Sequence, residues 1–155
     1  MNDKSPDLTV QEKLWNEHAL AIGRIALAWN TLQETLAEIF ADLFDRKDWQ
    51  LAITAWQSLT SDVAQQEMLR AVAKERHGAT SKAYEEVNWL LEKLKQHTSH
   101  QRNFGIHTPF MILHELDKSI HVIPHAHTGN RRARALSLSR KDAFKEFKEY
   151  ETETL

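Results

Sequence analysis

The stretch Val10–Phe44, VQEKLWNEHALAIGRIALAWNTLQETLAEIFADLF, decides the fold. It contains no proline, and Trp15, Ile22, Ile25, Trp29, Leu32, Leu36, Ile39 and Leu43 recur at steps of seven, three and four residues. Such spacing lines one face of a helix, and only position 18, occupied by His18, interrupts the apolar stripe. A helix of about 33 residues would be roughly 50 Å long, more than a small globule needs on its surface. The stripe therefore implies a helical bundle, a helical partner, or both. His18, at a core position of this stripe, reads as a packed, hydrogen-bonded histidine.

The rest of the chain follows the same grammar. Asp45-Arg46-Lys47 breaks the first pattern, and a short helix with Trp49, Ile53 and Trp56 on one side is expected over about 48–59. Thr60-Ser61-Asp62 supplies a cap and first turn for a third helix reaching about Arg76, and His77-Gly78-Ala79-Thr80 is a stop signal. A fourth helix opens near Ser81, with Tyr84, Val87, Leu91 and Leu94 on one face, and must end by Pro109. Phe110–Leu116 and Ile120–Ile123, parted by Asp117-Lys118-Ser119, read as a β-hairpin. After a loop over Pro124–Asn130, Ser139 and Asp142 have the spacing of an acidic capping box that opens a last helix carrying Phe144 and Phe147. The expected fold is mainly α: a bundle of about five helices with a small β-hairpin insertion near 110–123, after a flexible polar arm over 1–9.

Composition narrows the function classes. The 155 residues are 41% hydrophobic and 27% charged, as expected of one soluble globular domain. The formal net charge of −2 does not mark a nucleic-acid binder, so any basic surface must be local. With no cysteine there is no disulfide, thiolate metal site or cysteine nucleophile. The N-terminus lacks the basic-then-apolar order of a secretory signal, and no apolar run approaches the roughly 20 residues that span a bilayer. A cytoplasmic protein with no membrane association is the expectation.

The chemistry concentrates in His97–Pro109, HTSHQRNFGIHTP. Arg102 is permanently charged and can hold a phosphate through two parallel hydrogen bonds, and His107 can move a proton near neutral pH. Together they supply proton transfer and charge stabilisation on a phosphorane, which is what RNA cleavage needs when no metal takes part. Spacing sets a limit: five helical residues turn about 500°, leaving the two side chains about 140° apart on an unbroken helix. They converge only if the helix unwinds near Gly105 or if two chains combine their residues. Gly105 and Pro109 are residues that would permit such unwinding.

Arg102-Asn103-Phe104-Gly105-Ile106-His107 resembles the R-x4-6-H motif of the HEPN superfamily, in which a polar residue, often Asn, follows the Arg. The motif's place at the end of a late helix, after a long first helix with the segment Ala28–Phe40, is similar to the family's arrangement. The segment Ser61–Leu69 is likewise similar to a stretch of HEPN-like bacterial proteins. The likeness covers most of residues 15–109 and would make 10–155 a single HEPN-like helical domain. It implies a homodimer with metal-independent endoribonuclease activity, of the kind found in toxin–antitoxin and phage-defence systems, with RNA as substrate and an antitoxin or neighbouring defence protein as a further partner. Carried over by position, Arg102 would polarise the scissile phosphate, Asn103 would orient the site, and His107 would be the general acid or base. No cofactor is implied. HEPN toxins paired with nucleotidyltransferases carry a tyrosine two residues after the motif histidine. Here that place is Pro109, so regulation by modification of that tyrosine is not expected. The alternative is a non-catalytic HEPN-like module that binds RNA, a nucleotide or a protein.

Several other features have plainer readings. Arg131, Arg132, Arg134 and Arg140 form the basic cluster, suited to RNA backbone phosphates or to a solvated loop beside a helix cap. His97 and His100, and His121, His125 and His127, have no cysteine or acidic residue at a recognised ligand spacing, so no metal site is expected. Trp15, Trp29, Trp49, Trp56 and Trp89 read as core or interface. Asp62, Gln66 and Glu67 could support the motif, although Asp62 is explained as a charge at a helix start.

Overall fold

The computed structural model describes residues 6–108, 110–116, 119–124 and 143–154, with backbone alone for 6–8, 97–101, 104, 143–144 and 153–154. Six α-helices and one antiparallel hairpin make up these residues, a mainly α fold. Helix α1 spans Pro6–Asp42, beginning four residues before the expected start. A 3-10 turn over Arg46–Asp48 leads into α2, Trp49–Ser58, followed by α3, Asp62–His77, and α4, Lys82–Lys93. A π-helical turn over Leu94–Thr98 joins α4 to α5, Ser99–His107. Strands β1, Phe110–His114, and β2, Ile120–Pro124, form the hairpin, and α6 spans Ala143–Thr154. The expected cap at Ser139 and Asp142 lies outside the described residues.

The helix boundaries have local causes. The Ser61 hydroxyl accepts the Ala64 N–H at 3.4 Å, and the Ser81 hydroxyl accepts the Tyr84 N–H at 3.1 Å, satisfying donors that no helical carbonyl can reach. Gly78 ends α3 at φ 84°, a left-handed conformation, and its N–H donates to the Lys74 carbonyl at 2.9 Å.

Two compact units divide the chain. The unit over residues 29–99 is a helical bundle. Its core joins Leu36, Ala37, Phe40 and Ala41 of α1 to Ala52 and Trp56 of α2, Leu69 of α3, and Leu91 and Leu94 at the end of α4. The Phe40 ring lies 5.4 Å from Trp56 and 5.1 Å, edge-on, from Phe44. Arg70 of α3, half-buried, donates to the Asn88 side chain and, at 2.9 Å, to Glu92, both on α4.

The unit over 1–28 and 100–155 is organised around aromatic rings. His18 of α1 is 4% exposed, its ring centroid 4.2 Å from Phe110 of β1 and 5.6 Å from Phe147 of α6. Phe110 and Phe147 meet edge-on at 5.7 Å. The hairpin pairs Phe110 with Pro124 and Leu113 with His121, so Phe110, Ile112 and Val122 share one face while Met111 and His121 share the other. The first face turns to α1, where the Gln11 amide also bonds His114 at 2.7 Å.

Burial along α1 departs from a strict heptad. His18, Trp29 and Phe40 form one buried series and Ile25 and Leu36 another, each stepping by eleven residues. Eleven residues in three turns is 3.67 per turn, close to a straight helix, whereas a heptad stripe would require a left-handed supercoil. Trp15 and Leu43, at the two ends of the heptad reading, drift off the buried line: Trp15 is 46% exposed and Leu43 half-buried. Of the five tryptophans only Trp29 and Trp56 are buried, while Trp15, Trp49 and Trp89 are exposed.

Candidate functional site

Helix α5 carries the motif, and it does not unwind. The backbone is α-helical without interruption from Ser99 to His107, so Gly105 lies inside the helix and not at its end. The reason for glycine there is close packing. A Cβ at position 105 would stand 2.9 Å from Cδ1 of Ile25 and 3.5 Å from Cε1 of Phe147. Ile25 and Phe147 are each 1% exposed, so neither has room to withdraw. The expectation of unwinding at Gly105 is thus corrected: glycine admits α1 and α6 to the surface of α5. A larger side chain at this position should be destabilising. Gly105→Val is expected to lower stability by about 2–3 kcal/mol through overpacking, read as a fall in melting temperature. An unchanged or raised melting temperature would contradict the packing role.

An unbroken helix places Arg102 and His107 about 140° apart around its axis. Their surroundings differ accordingly. Arg102 is half-buried, with Nε shielded from solvent, and Asn103 is half-buried beside it in sequence. His107 is exposed on the last turn, and Thr108, which follows it, is 5% exposed. Within one chain the two motif side chains therefore face different directions. A site that used both on one phosphate would draw Arg102 from one copy and His107 from another.

The remaining candidates fall into three groups. Arg131, Arg132, Arg134, Arg140, His125 and His127 lie outside the described residues, as do the side chains of His97 and His100. His121 bonds the Ser119 hydroxyl at 3.1 Å on the hairpin face opposite to that of His114. Among the described residues no group of three or more His, Asp or Glu is arranged to hold a metal ion. Gln66 is 8% exposed and Glu67 lies 3.7 Å from Arg70, both within the bundle unit. No described helix is long and apolar enough to cross a membrane. The helical spacing of α1 placed His18 in the core, where Trp15, three residues earlier, stacks on its ring at 5.8 Å; its other ring partners, Phe110 and Phe147, stand about 90 residues or more away in sequence, and no local signal connects them.

Burial gives His18 a distinctive property. Desolvation holds its pKa below the ordinary 6.5, because a buried imidazolium would lack the water that stabilises it. The folded protein thus keeps His18 neutral where the unfolded chain would already protonate it. Stability from this residue is complete above pH 6.5 and declines as the pH falls below it. Thermal unfolding between about pH 7.5 and about pH 5.5 is expected to show a falling melting temperature for the wild type and a shallower fall for His18→Phe. Parallel slopes would show that His18 does not carry the effect.

Compared with protein-family models, curated proteins and solved structures, the chain matches none.

Proposed function

We propose that this chain is a HEPN-like, metal-independent endoribonuclease that acts as a homodimer. One observation carries the reading: Arg102, Asn103 and His107 stand in the R-x4-6-H pattern on a single late helix, with the arginine partly sheltered and the histidine open to solvent. The arginine provides a fixed cation for the scissile phosphate, and an exposed imidazole can exchange its proton with a bound substrate.

In the proposed reaction the ribose 2′-hydroxyl loses its proton to a base as its oxygen attacks phosphorus. The bond from phosphorus to the 5′-oxygen then breaks, and that oxygen takes up a proton. His107 serves as one of the two proton carriers. Arg102 stabilises the charge that gathers on the non-bridging oxygens, and Asn103 holds the ribose or phosphate by hydrogen bonds. The products are a 2′,3′-cyclic phosphate and a 5′-hydroxyl. End-group analysis of RNA cleaved in EDTA tests the chemistry, and 5′-phosphate products would contradict it.

The half-burial of Arg102 favours a second reading, a non-catalytic module in which the motif binds RNA, a nucleotide or a protein. RNA retention in a mobility-shift experiment without cleavage by the folded wild type would select it.

A further inference from the structure

Helix α1 carries a second apolar stripe that its own chain leaves partly uncovered. Val10 is 47% exposed, Leu20 56% and Leu27 67%, and Leu14 and Ala21 are half-buried. Together with Glu17 and Arg24 these positions span an arc of about 140° around the helix, with Leu14 and Ala21 next to the buried line of His18 and Ile25, Glu17 and Arg24 in the middle, and Leu20 and Leu27 on the far side. Leu20 and Ala21, with Phe147 of α6, line a groove of about 290 Å³ that is bordered by Glu17, Arg24, Lys148 and Glu151.

The order of residues on this face has a symmetry. The midpoint between Leu20 and Ala21 lies equally far from Glu17 and Arg24, and equally far from Leu14 and Leu27. Laid antiparallel on a copy of itself about that midpoint, the helix brings Leu20 level with the partner's Ala21 at the centre and Leu14 level with the partner's Leu27 at the flanks. The same two-fold sets Glu17 against the partner's Arg24, and Arg24 against the partner's Glu17. We propose that this face of α1 binds the same face of a second copy in an antiparallel, two-fold arrangement.

Charge identifies the occupant. An isologous interface must be its own complement, and one acid and one base equidistant from a central apolar pair meet that requirement. An acidic partner helix would be repelled at Glu17, and a basic one at Arg24. Within its own chain Glu17 lies 3.9 Å from Lys13, both side chains largely exposed, and such a pair is given up at little cost. Covering Val10, Leu20 and Leu27 from both copies provides the apolar contribution.

The test reads mass and not cleavage, so it stands apart from the ribonuclease reading. Sedimentation equilibrium of the full chain over a range of concentrations is expected to show a monomer–dimer equilibrium. Arg24→Glu places like charges at both symmetric contacts and should weaken dimerisation by about tenfold or more, as should Glu17→Arg. The double variant Glu17→Arg/Arg24→Glu exchanges the charges and should return the dissociation constant to within about threefold of wild type. Leu20→Lys should abolish the dimer, with circular dichroism showing each variant folded. A wild type that stays monomeric throughout overturns the proposal. A dimer indifferent to Arg24→Glu and Leu20→Lys overturns this surface and leaves a two-chain catalytic site standing. Failure of the double variant to recover overturns the antiparallel register.

Discussion

His107→Ala is expected to slow RNA cleavage in EDTA by about 10²–10⁴-fold, the range that a positioned proton carrier contributes. The melting temperature should stay within a degree or two of the wild type, because His107 is exposed on the last turn of α5. This separation of activity from stability makes His107 the cleaner probe of the motif. Arg102 is half-buried, so Arg102→Ala removes packing along with charge, and Arg102→Lys is the necessary companion. Lysine keeps the positive charge but not the two parallel donors, and it should recover little activity. Equal cleavage by wild type and His107→Ala would remove His107 from the chemistry.

Phe147→Ala should have the largest effect on stability, a loss of about 3–5 kcal/mol. Phe147 is 1% exposed, and its ring lies against His18 at 5.6 Å, Phe110 at 5.7 Å and Tyr150 at 6.1 Å. It also closes on the backbone of α5 at Gly105. One side chain thus touches α1, β1 and α5, and its deletion leaves a cavity that several elements would have to move to fill. The unit that carries the motif would lose much of the marginal stability typical of a domain. A chemical denaturation midpoint unchanged by Phe147→Ala would show that α6 is not part of this core. The last helix was expected as one of the bundle's about five, and Phe147 makes it part of the core that fixes α5.

What the sequence made legible was mostly local. Ser61, Gly78 and Ser81 mark helix ends because each acts on backbone groups three or four residues away, and all three are found in those roles. The hairpin was readable from its β-branched and apolar runs. The long first helix was readable too, but its repeat was not. Residues spaced at seven, three and four fit both a heptad and an eleven-residue pattern until burial separates Phe40 from Leu43. Gly105 misled because glycine near a helix end has two opposite meanings. Its reason is Ile25, 80 positions earlier, and Phe147, 42 positions later. The π turn at Leu94–Thr98 gave no compositional sign, since a widened turn changes which carbonyl accepts and not which residues are present. For the candidate site, the motif residues were legible one by one. Their separation around an intact helix became definite only once the backbone at Gly105 was known.

That separation provides the most direct test of the proposed two-chain site. Arg102→Ala and His107→Ala, each purified and inactive alone, are mixed in equal amounts, allowed to exchange subunits, and assayed for RNA cleavage in EDTA. If Arg102 of one copy works with His107 of the other, each mixed dimer regains one intact site. Random exchange then restores about a quarter of wild-type activity. No recovery, despite exchange verified by mass, would contradict a site built from two chains.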